Sequence, residues 1–324
     1  MLNARNVVVF DNAGLPSIMV RFDKCTNADL LPGGSNETHP AFIIDGQEVD
    51  AIYISKYQCT MINGKPYSLP YMKPATSIDF DSAAAACTAK GDGWHLLTAP
   101  EYALAALESA KGGTLPRGNT NCGESHSHPE EKGEHYDDYR TLTGSGPETW
   151  AHDHTPFGVF DLCGNVWEWI AGLRLMKGQI EVIENNNAAM PVDMSASSDL
   201  WQPIPAPGVC GDMRFAVEDG TVILSNVGES EGWSGCAWRD LQEDIDTPEL
   251  MKALALDPED AASGDSWLFV DTEGERLPIR GGSWCNTSSA GVFALALNNP
   301  RSSVGTNVGF RAAFYCKTDN RPTD

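Results

Sequence analysis

The chain has 324 residues, 41% of them hydrophobic, enough to bury a substantial core in one large domain or two ordinary ones. Acidic residues number 45 against 22 basic ones, a net charge of -23, which argues against a phosphate-tracking nucleic-acid surface or a polybasic membrane anchor. Partners are expected among proteins, glycans or neutral ligands.

The opening MLNARNVVVFDNAGL holds a four-residue apolar run, too short for the hydrophobic region of a secretory signal or for a bilayer span. Neither an export address nor a membrane span is expected from it. Short strands follow at 7–10 (VVVF), 18–22 (IMVRF) and 51–57 (AIYISKY), the last alternating Ile52 and Ile54 with polar neighbours. The stretch DFDSAAAACTAK predicts a helix with Ser77 or Asp79 as N-cap and Gly91 as its stop. A second helix is expected in TAPEYALAALESAKGG, where Thr98 and Glu101 form a T-x-x-E capping box, Pro100 sits in the first turn and Gly112 ends the helix.

Residues 112–156 are rich in Gly, His, Asn and Asp, which favours turns and ordered loop. FGVFDLCGNVWEWIAG then offers a turn and a strand. Strand candidates QIEVI and TVILS and a short helix near 248–256 lie in a Pro, Gly and Asn-rich stretch, and VFALAL and VGFRAAFY close the chain as strands. Two early helices followed by many short strands and long loops define an α+β domain with much irregular structure. Residues 1–40 read as a strand-rich piece, separate or docked on a main domain over 41–324, which carries an insertion at about 172–275 and a distinctive region at about 280–314. Nine cysteines, at 25, 59, 87, 122, 163, 210, 236, 285 and 316, are odd in number and lack CxxC spacing, so neither a zinc knuckle nor a complete disulfide framework is indicated. Most are expected to be buried thiols.

Three stretches line up in order: KPATSIDFDSAAAACTAKGDGWHLLTAPEYALAAL, FGVFDLCGNVWEW, and RGGSW at 280–284 closing with VGFRAA. Together, over roughly 40–316, they resemble the formylglycine-generating-enzyme (sulfatase-modifying factor) branch of the C-type lectin fold. The resemblance implies two helices with short twisted antiparallel sheets. In the enzymes of that branch a copper-binding cysteine pair follows the RGGS turn, one cysteine two residues beyond the aromatic and the second five further on. Here those places hold Asn286 and Gly291, and Cys285 stands one position early, so the two-thiolate site for a soft metal ion is missing and no catalytic residue is assigned.

The ergothioneine-pathway sulfoxide synthases, which the module also resembles, add an iron site of histidines. The histidines here cluster as His126 and His128, His135, and His152 and His154; pairs at alternate positions can share one strand face and chelate, while the simpler reading is loop histidines bonded to neighbouring carboxylates. No cofactor is required, and a structural calcium ion in the acidic loops is left open.

The ending RGGSWCNTSSAGVFALALNNPRSSVGTNVGFRAAF also resembles the variable region of proteins diversified by retroelements, in which reverse transcription of a template misincorporates at adenines. Randomising the adenines of AAC codons never yields Lys, Glu, Gln, Met or Trp, and none of the five occurs from Cys285 to Asn307. The resemblance implies ligand-facing variable positions at Cys285, Asn286, Thr287, Ser289, Ala296, Asn298, Ser303, Val304, Gly305, Thr306 and Asn307. Constant residues between them are expected to hold the main chain. Gly281 and Gly282 permit a tight path, Trp284 serves as an apolar anchor, and Arg280, Arg301 and Arg311 bind neighbouring carboxylates and carbonyls. Asn165 is expected to satisfy turn backbone, Trp167 and Trp169 to pack from one strand face, and Glu168 to face the other way toward an arginine.

These readings imply a non-enzymatic ligand-binding protein that recognises a protein or cell-surface component, on a virion, a phage tail or a cell exterior. The rival readings are a metal-dependent oxidase of the same fold and a constant structural or interaction protein of a phage particle.

Overall fold

The first and last strands among the described residues enter one five-stranded sheet. Asn6–Phe10 pairs with Pro16–Asp23, which pairs with Ala51–Ser55; that strand takes Ala312–Tyr315 on its other side, and Trp94–Leu96 completes the sheet. Alternation explains the central strand: Ile52 and Ile54 are fully buried while Tyr53 between them is half-buried. The computed structural model describes residues 5–228, 232–258, 264 and 266–316. The first four residues of the N-terminal piece, parts of the 172–275 stretch and the last eight residues of the chain lie outside the described residues.

A second sheet, of twelve strands, runs from Trp233–Ala237 through Trp267–Asp271, Leu295–Asn299, Glu275–Arg280 and Leu173–Met176 to Gln179–Ile183 and beyond, with Trp167–Trp169 and Val308–Phe310 branching from Glu275–Arg280. Residues 172–275 therefore supply much of this sheet. Three α-helices accompany the sheets among the described residues, an α+β architecture with long irregular connections.

The two longer helices form where local capping chemistry is strong. Helix α1 (Phe80–Thr88) starts at Asp79, whose carboxylate accepts from the Ser82 amide at 2.8 Å; Ser77, the other candidate cap, lies outside the helix in a left-handed conformation at φ +58°. Helix α2 (Ala99–Gly112) opens on the expected box, with Thr98 Oγ1 accepting from the Glu101 amide and Glu101 accepting from the Thr98 amide. Its stop falls one residue later than expected: Gly112 is still helical, and Gly113 at φ +65° is the cap. Helix α3 (Glu249–Ala253) is one turn long. The VFALAL strand begins at Leu295 rather than at its first apolar residues.

The larger apolar core lies between α2 and both sheets and includes Leu104, Phe42, Leu175, Phe215 and Leu295. A second, aromatic core gathers Phe80, Trp94, Trp167, Trp169 and Phe310. The cysteines depart from expectation: only Cys59, Cys87 and Cys163 are buried, while Cys122, Cys210 and Cys285 are exposed and the other three are half-buried. Position in a loop does not decide this, since Cys59 and Cys163 lie in loops that pack against the core while Cys122, Cys210 and Cys285 lie in loops that face solvent.

Two arginines lie inside the core and are held by carbonyl and carboxylate acceptors. Arg311, wholly buried, donates to the carbonyls of Ser55 (3.1 Å) and Phe160 (2.5 Å) and to Glu168 Oε1 (2.9 Å), with its Nε 2.7 Å from Glu168 Oε2. Arg280 donates to the carbonyls of Leu254 and Ala255 beneath the Tyr102 ring; burial lowers its guanidinium to about 10, still charged at neutral pH. Burial raises the Asp161 carboxyl to about 6, opposed by the hydrogen bond it accepts from the Gly144 amide. An acid whose folded pKa exceeds its ordinary value of 3.8 contributes stability while protonated and loses that contribution as pH rises through the folded value. Urea midpoints of wild type and Asp161→Asn should therefore diverge between about pH 4 and pH 6, the wild type losing of order 2 to 3 kcal/mol relative to the variant as pH rises. Parallel profiles would show that this carboxyl titrates as an ordinary surface group.

Candidate binding surface

The RGGSW turn is held from beneath by Asn165. This residue is buried at φ +61°, a conformation asparagine tolerates better than most residues. Its Nδ2 donates to Gln58 Oε1 (3.0 Å) and the Thr141 carbonyl (3.1 Å), its Oδ1 accepts from the Thr141 amide (3.0 Å), and its carbonyl accepts from the Trp284 amide (3.1 Å). Gly281, at φ +93°, packs so closely that a Cβ would lie 2.7 Å from the Leu162 carbonyl oxygen; at Gly282, φ +84°, a Cβ would lie 2.5 Å from that of Ala290. No other residue fits that path without backbone movement. Trp167 and Trp169 both lie in the aromatic core, and Glu168 between them faces Arg311.

The loop after the turn is closed by its own asparagine. Asn286 Oδ1 accepts from the Ser283 amide (2.9 Å) and hydroxyl (2.8 Å), Ser289 Oγ donates to the Asn286 carbonyl (2.7 Å), and the Thr287 amide donates to the Thr120 carbonyl (2.9 Å). The asparagine is thus part of the loop's framework, and it is half-buried along with Ser289. Exposed around it are Cys285, Thr287 and Ser288. Thr287 occupies the left-handed region at φ +49°, a costly place for a β-branched side chain.

The second loop hangs from Arg301. Its guanidinium donates to both oxygens of Glu275 (3.1 and 3.0 Å), to Asp81 on α1 (2.7 Å) and to the Met194 carbonyl (2.7 Å), and it lies over the Phe80 ring. Beyond it the main chain is fixed from outside: the Ser77 amide donates to the Gly305 carbonyl, Arg140 Nη1 to the Thr306 carbonyl (2.8 Å) and the Trp167 amide to the Asn307 carbonyl (2.8 Å). Exposure alternates along this loop. Ser302, Val304 and Thr306 face solvent, while Ser303, Gly305 and Asn307 are half-buried, as is Asn298 at the strand end.

Tyr139 and Arg140 join the two loops. The Tyr139 ring stacks on Trp284 at 4.7 Å and 20°, while its neighbour Arg140 reaches Thr306. Trp284 therefore anchors the first loop by stacking, half-buried, rather than by insertion into the core. Tyr139, 47% exposed, belongs to the same surface; its only sequence signal was an aromatic residue in an otherwise polar loop.

Among the expected ligand-facing positions Ala296 is the one that is buried, and Asn286 is the one committed to the loop's own framework. At 3% exposure Ala296 lies in the aromatic core between its strand neighbours Phe269 and Ile279, where Phe269 meets Trp167 edge to face at 6.3 Å. Aromatic rings cover it, so its side chain sets packing and does not reach a ligand.

The histidines do not come together. His126 Nδ1 meets Thr120 Oγ1, His128 Nδ1 meets Ser127 Oγ, His135 Nδ1 lies near the Asp137 carbonyl, and His154 Nε2 near the Leu115 carbonyl. His152 Nδ1 accepts from the Val159 amide, and burial lowers its pKa. Their partners are hydroxyls and main-chain groups more than carboxylates, and among the described residues no three His, Cys, Asp or Glu side chains converge as a ligand set. A cleft of about 190 Å³ beside the first loop is lined by His126, Cys163, Ser288 and Gly291. Burial pushes the Cys163 thiol up to about 12, so it stays un-ionised and unreactive.

The sulfatase-modifying factor enzyme 1-like domain model matches residues 35–315, and the chain belongs to that family. Among solved structures it is similar to PvdO from Pseudomonas aeruginosa, at 14% identity and a TM-score of 0.37, covering 96% of this chain and 98% of that one. It is also similar to Treponema denticola variable protein 1, at 12% identity and a TM-score of 0.36 over 95% and 98% of the two chains, and to the Major Tropism Determinant U1 variant, at 13% identity and 0.35 over 95% and 71%. No curated protein matches the chain significantly.

If the exposed positions carry no structural duty, Val304→Tyr and Thr306→Tyr should each change unfolding free energy by less than about 0.5 kcal/mol. Thr287→Asn, better suited to the left-handed region, should gain about 1 kcal/mol. Ala296→Phe should cost about 1 to 3 kcal/mol by overpacking beneath Phe269. Urea denaturation reads all four; a tolerant Ala296 or a fragile Val304 would reverse the assignment of buried and free positions.

Proposed function

We propose that this chain is a ligand-binding protein whose loops at 285–289 and 298–307 form a surface diversified by a retroelement, for recognition of a protein or cell-surface component. The observation that carries this reading is the division within both loops: buried and half-buried residues and main-chain hydrogen bonds hold the backbone, while Cys285, Thr287, Val304 and Thr306 face solvent. A surface built this way accepts different side chains without refolding. Its present side chains are small and lack the aromatic and arginine groups that dominate tight interfaces, so Tyr139 is the main fixed contact and affinity in this version is modest.

Oxidase chemistry finds little support in the same geometry. Asn286 is committed to the Ser283 turn and Gly291 has no side chain, so neither offers a thiolate for a soft metal. Among the described residues no helix is long and apolar enough to cross a membrane, and a place on a virion, phage tail or cell exterior suits a receptor-binding surface.

Deep sequencing of the encoding locus with its flanks, in a growing population of the source organism, tests the reading. Codons for 285, 287, 304 and 306 should differ between copies, opposite adenines in a nearby near-identical repeat, while those for Asn165, Arg301 and Arg311 stay fixed. Identical copies with no such repeat and no reverse transcriptase nearby would reduce the surface to ordinary loop sequence.

A further inference from the structure

Two of the three exposed thiols, Cys122 and Cys285, sit on loops laced to each other. The Cys122 amide donates at 2.8 Å to the Trp284 carbonyl, which belongs to the peptide that leads into Cys285, and the Thr287 amide donates at 2.9 Å to the Thr120 carbonyl one turn away. Such a bond leaves the two cysteine Cα atoms roughly 5 to 7 Å apart, the span over which a disulfide closes. Cys122 occupies a tight turn at φ +48°, bounded by the bond from the Asn121 amide to the Glu124 carbonyl. The Cys285 sulfur rests 3.7 Å from Ser283 Oγ at the base of its loop.

We propose that Cys122 and Cys285 are a modification site: a dithiol that a low-molecular-weight disulfide oxidises to a Cys122–Cys285 bridge, clipping the first binding loop to the 120–124 turn. One protein thiolate attacks a sulfur of the oxidant, forming a mixed disulfide and expelling one small thiolate, which takes up a proton. The second protein thiolate attacks the mixed disulfide at the protein sulfur and expels the other small thiolate. Two protein thiols are oxidised, and the oxidant is reduced to two small thiols.

The bridge joins segments distant in sequence and so restricts the unfolded chain. It also preorganises the loop, which lowers the ordering cost of binding. Cys285 is among the positions proposed to vary, so the clip belongs to this version of the surface; its chemistry stands or falls independently of whether the locus diversifies.

The test is a peptide map of the full chain incubated with oxidised glutathione, alkylated and digested with trypsin without reduction. Peptides 118–132 and 281–301 should appear joined in the monomer, lighter by two hydrogens than their sum. In Cys122→Ser, Cys285 should stop at the glutathione mixed disulfide, as should the exposed Cys210 in both proteins. The proposal is overturned if Cys122 and Cys285 of the wild type each end as mixed disulfides, stay unmodified, or bridge between two chains.

Discussion

The buried Arg311 guanidinium is the interaction on which the rest of the molecule depends. It joins the Ser55 carbonyl in the five-stranded sheet, the Phe160 carbonyl in the turn before GNVWEW and the Glu168 carboxylate in the twelve-stranded sheet. A charge fully removed from water is tolerable only when its donors are met, and the groups that meet these donors come from three separate parts of the chain. Satisfying the one side chain therefore fixes how the two sheets sit together. Gln58 extends the same network, donating to Glu168 Oε1 and the Val166 carbonyl and accepting from Asn165.

From that buried network the order passes outward to the surface loops. Asn165 carries it to the Trp284 amide, and Trp167 carries it to the Asn307 carbonyl. Arg301 supplies a second, more peripheral anchor through Glu275 and Asp81. The loops are irregular in shape yet fixed at many main-chain groups, which separates backbone position from the identity of the exposed side chains. Backbone position depends on buried residues and main-chain bonds, and the exposed side chains carry little of the fold. A cleft such as the one beside Gly291 then sits against a rigid rim.

Much of this could be read from local sequence patterns. The capping box at Thr98 and Glu101, the alternation of Trp167, Glu168 and Trp169, and the need for an arginine opposite Glu168 are short-range or chemical constraints, and the α+β class follows from the order of such elements. The burial of Ala296 could not be read that way, because the rings over it come from Phe269, inside the long 172–275 stretch, and from Trp167, through strand pairings that no local pattern encodes. Arg301 had a foreseeable appetite for carboxylates, but Glu275 and Asp81 are its partners only because α1 and a distant strand meet there. Tyr139 was missed for the same reason: a tyrosine in a polar loop carries no mark that it will stack on Trp284. Exposure of Cys122 and Cys285 likewise depends on where two loops meet.

The central claim is that the loop backbone is independent of the exposed side chains. Amide hydrogen exchange compares it most directly, in the wild type and in a variant with Thr287, Ser288, Ser302, Val304 and Thr306 all replaced. The account predicts unchanged protection at the Trp284, Thr287, Ser303 and Val308 amides, whose acceptors are main-chain carbonyls. Loss of protection across either loop in the variant would contradict it, because the side chains assigned to ligand choice would then be holding the fold.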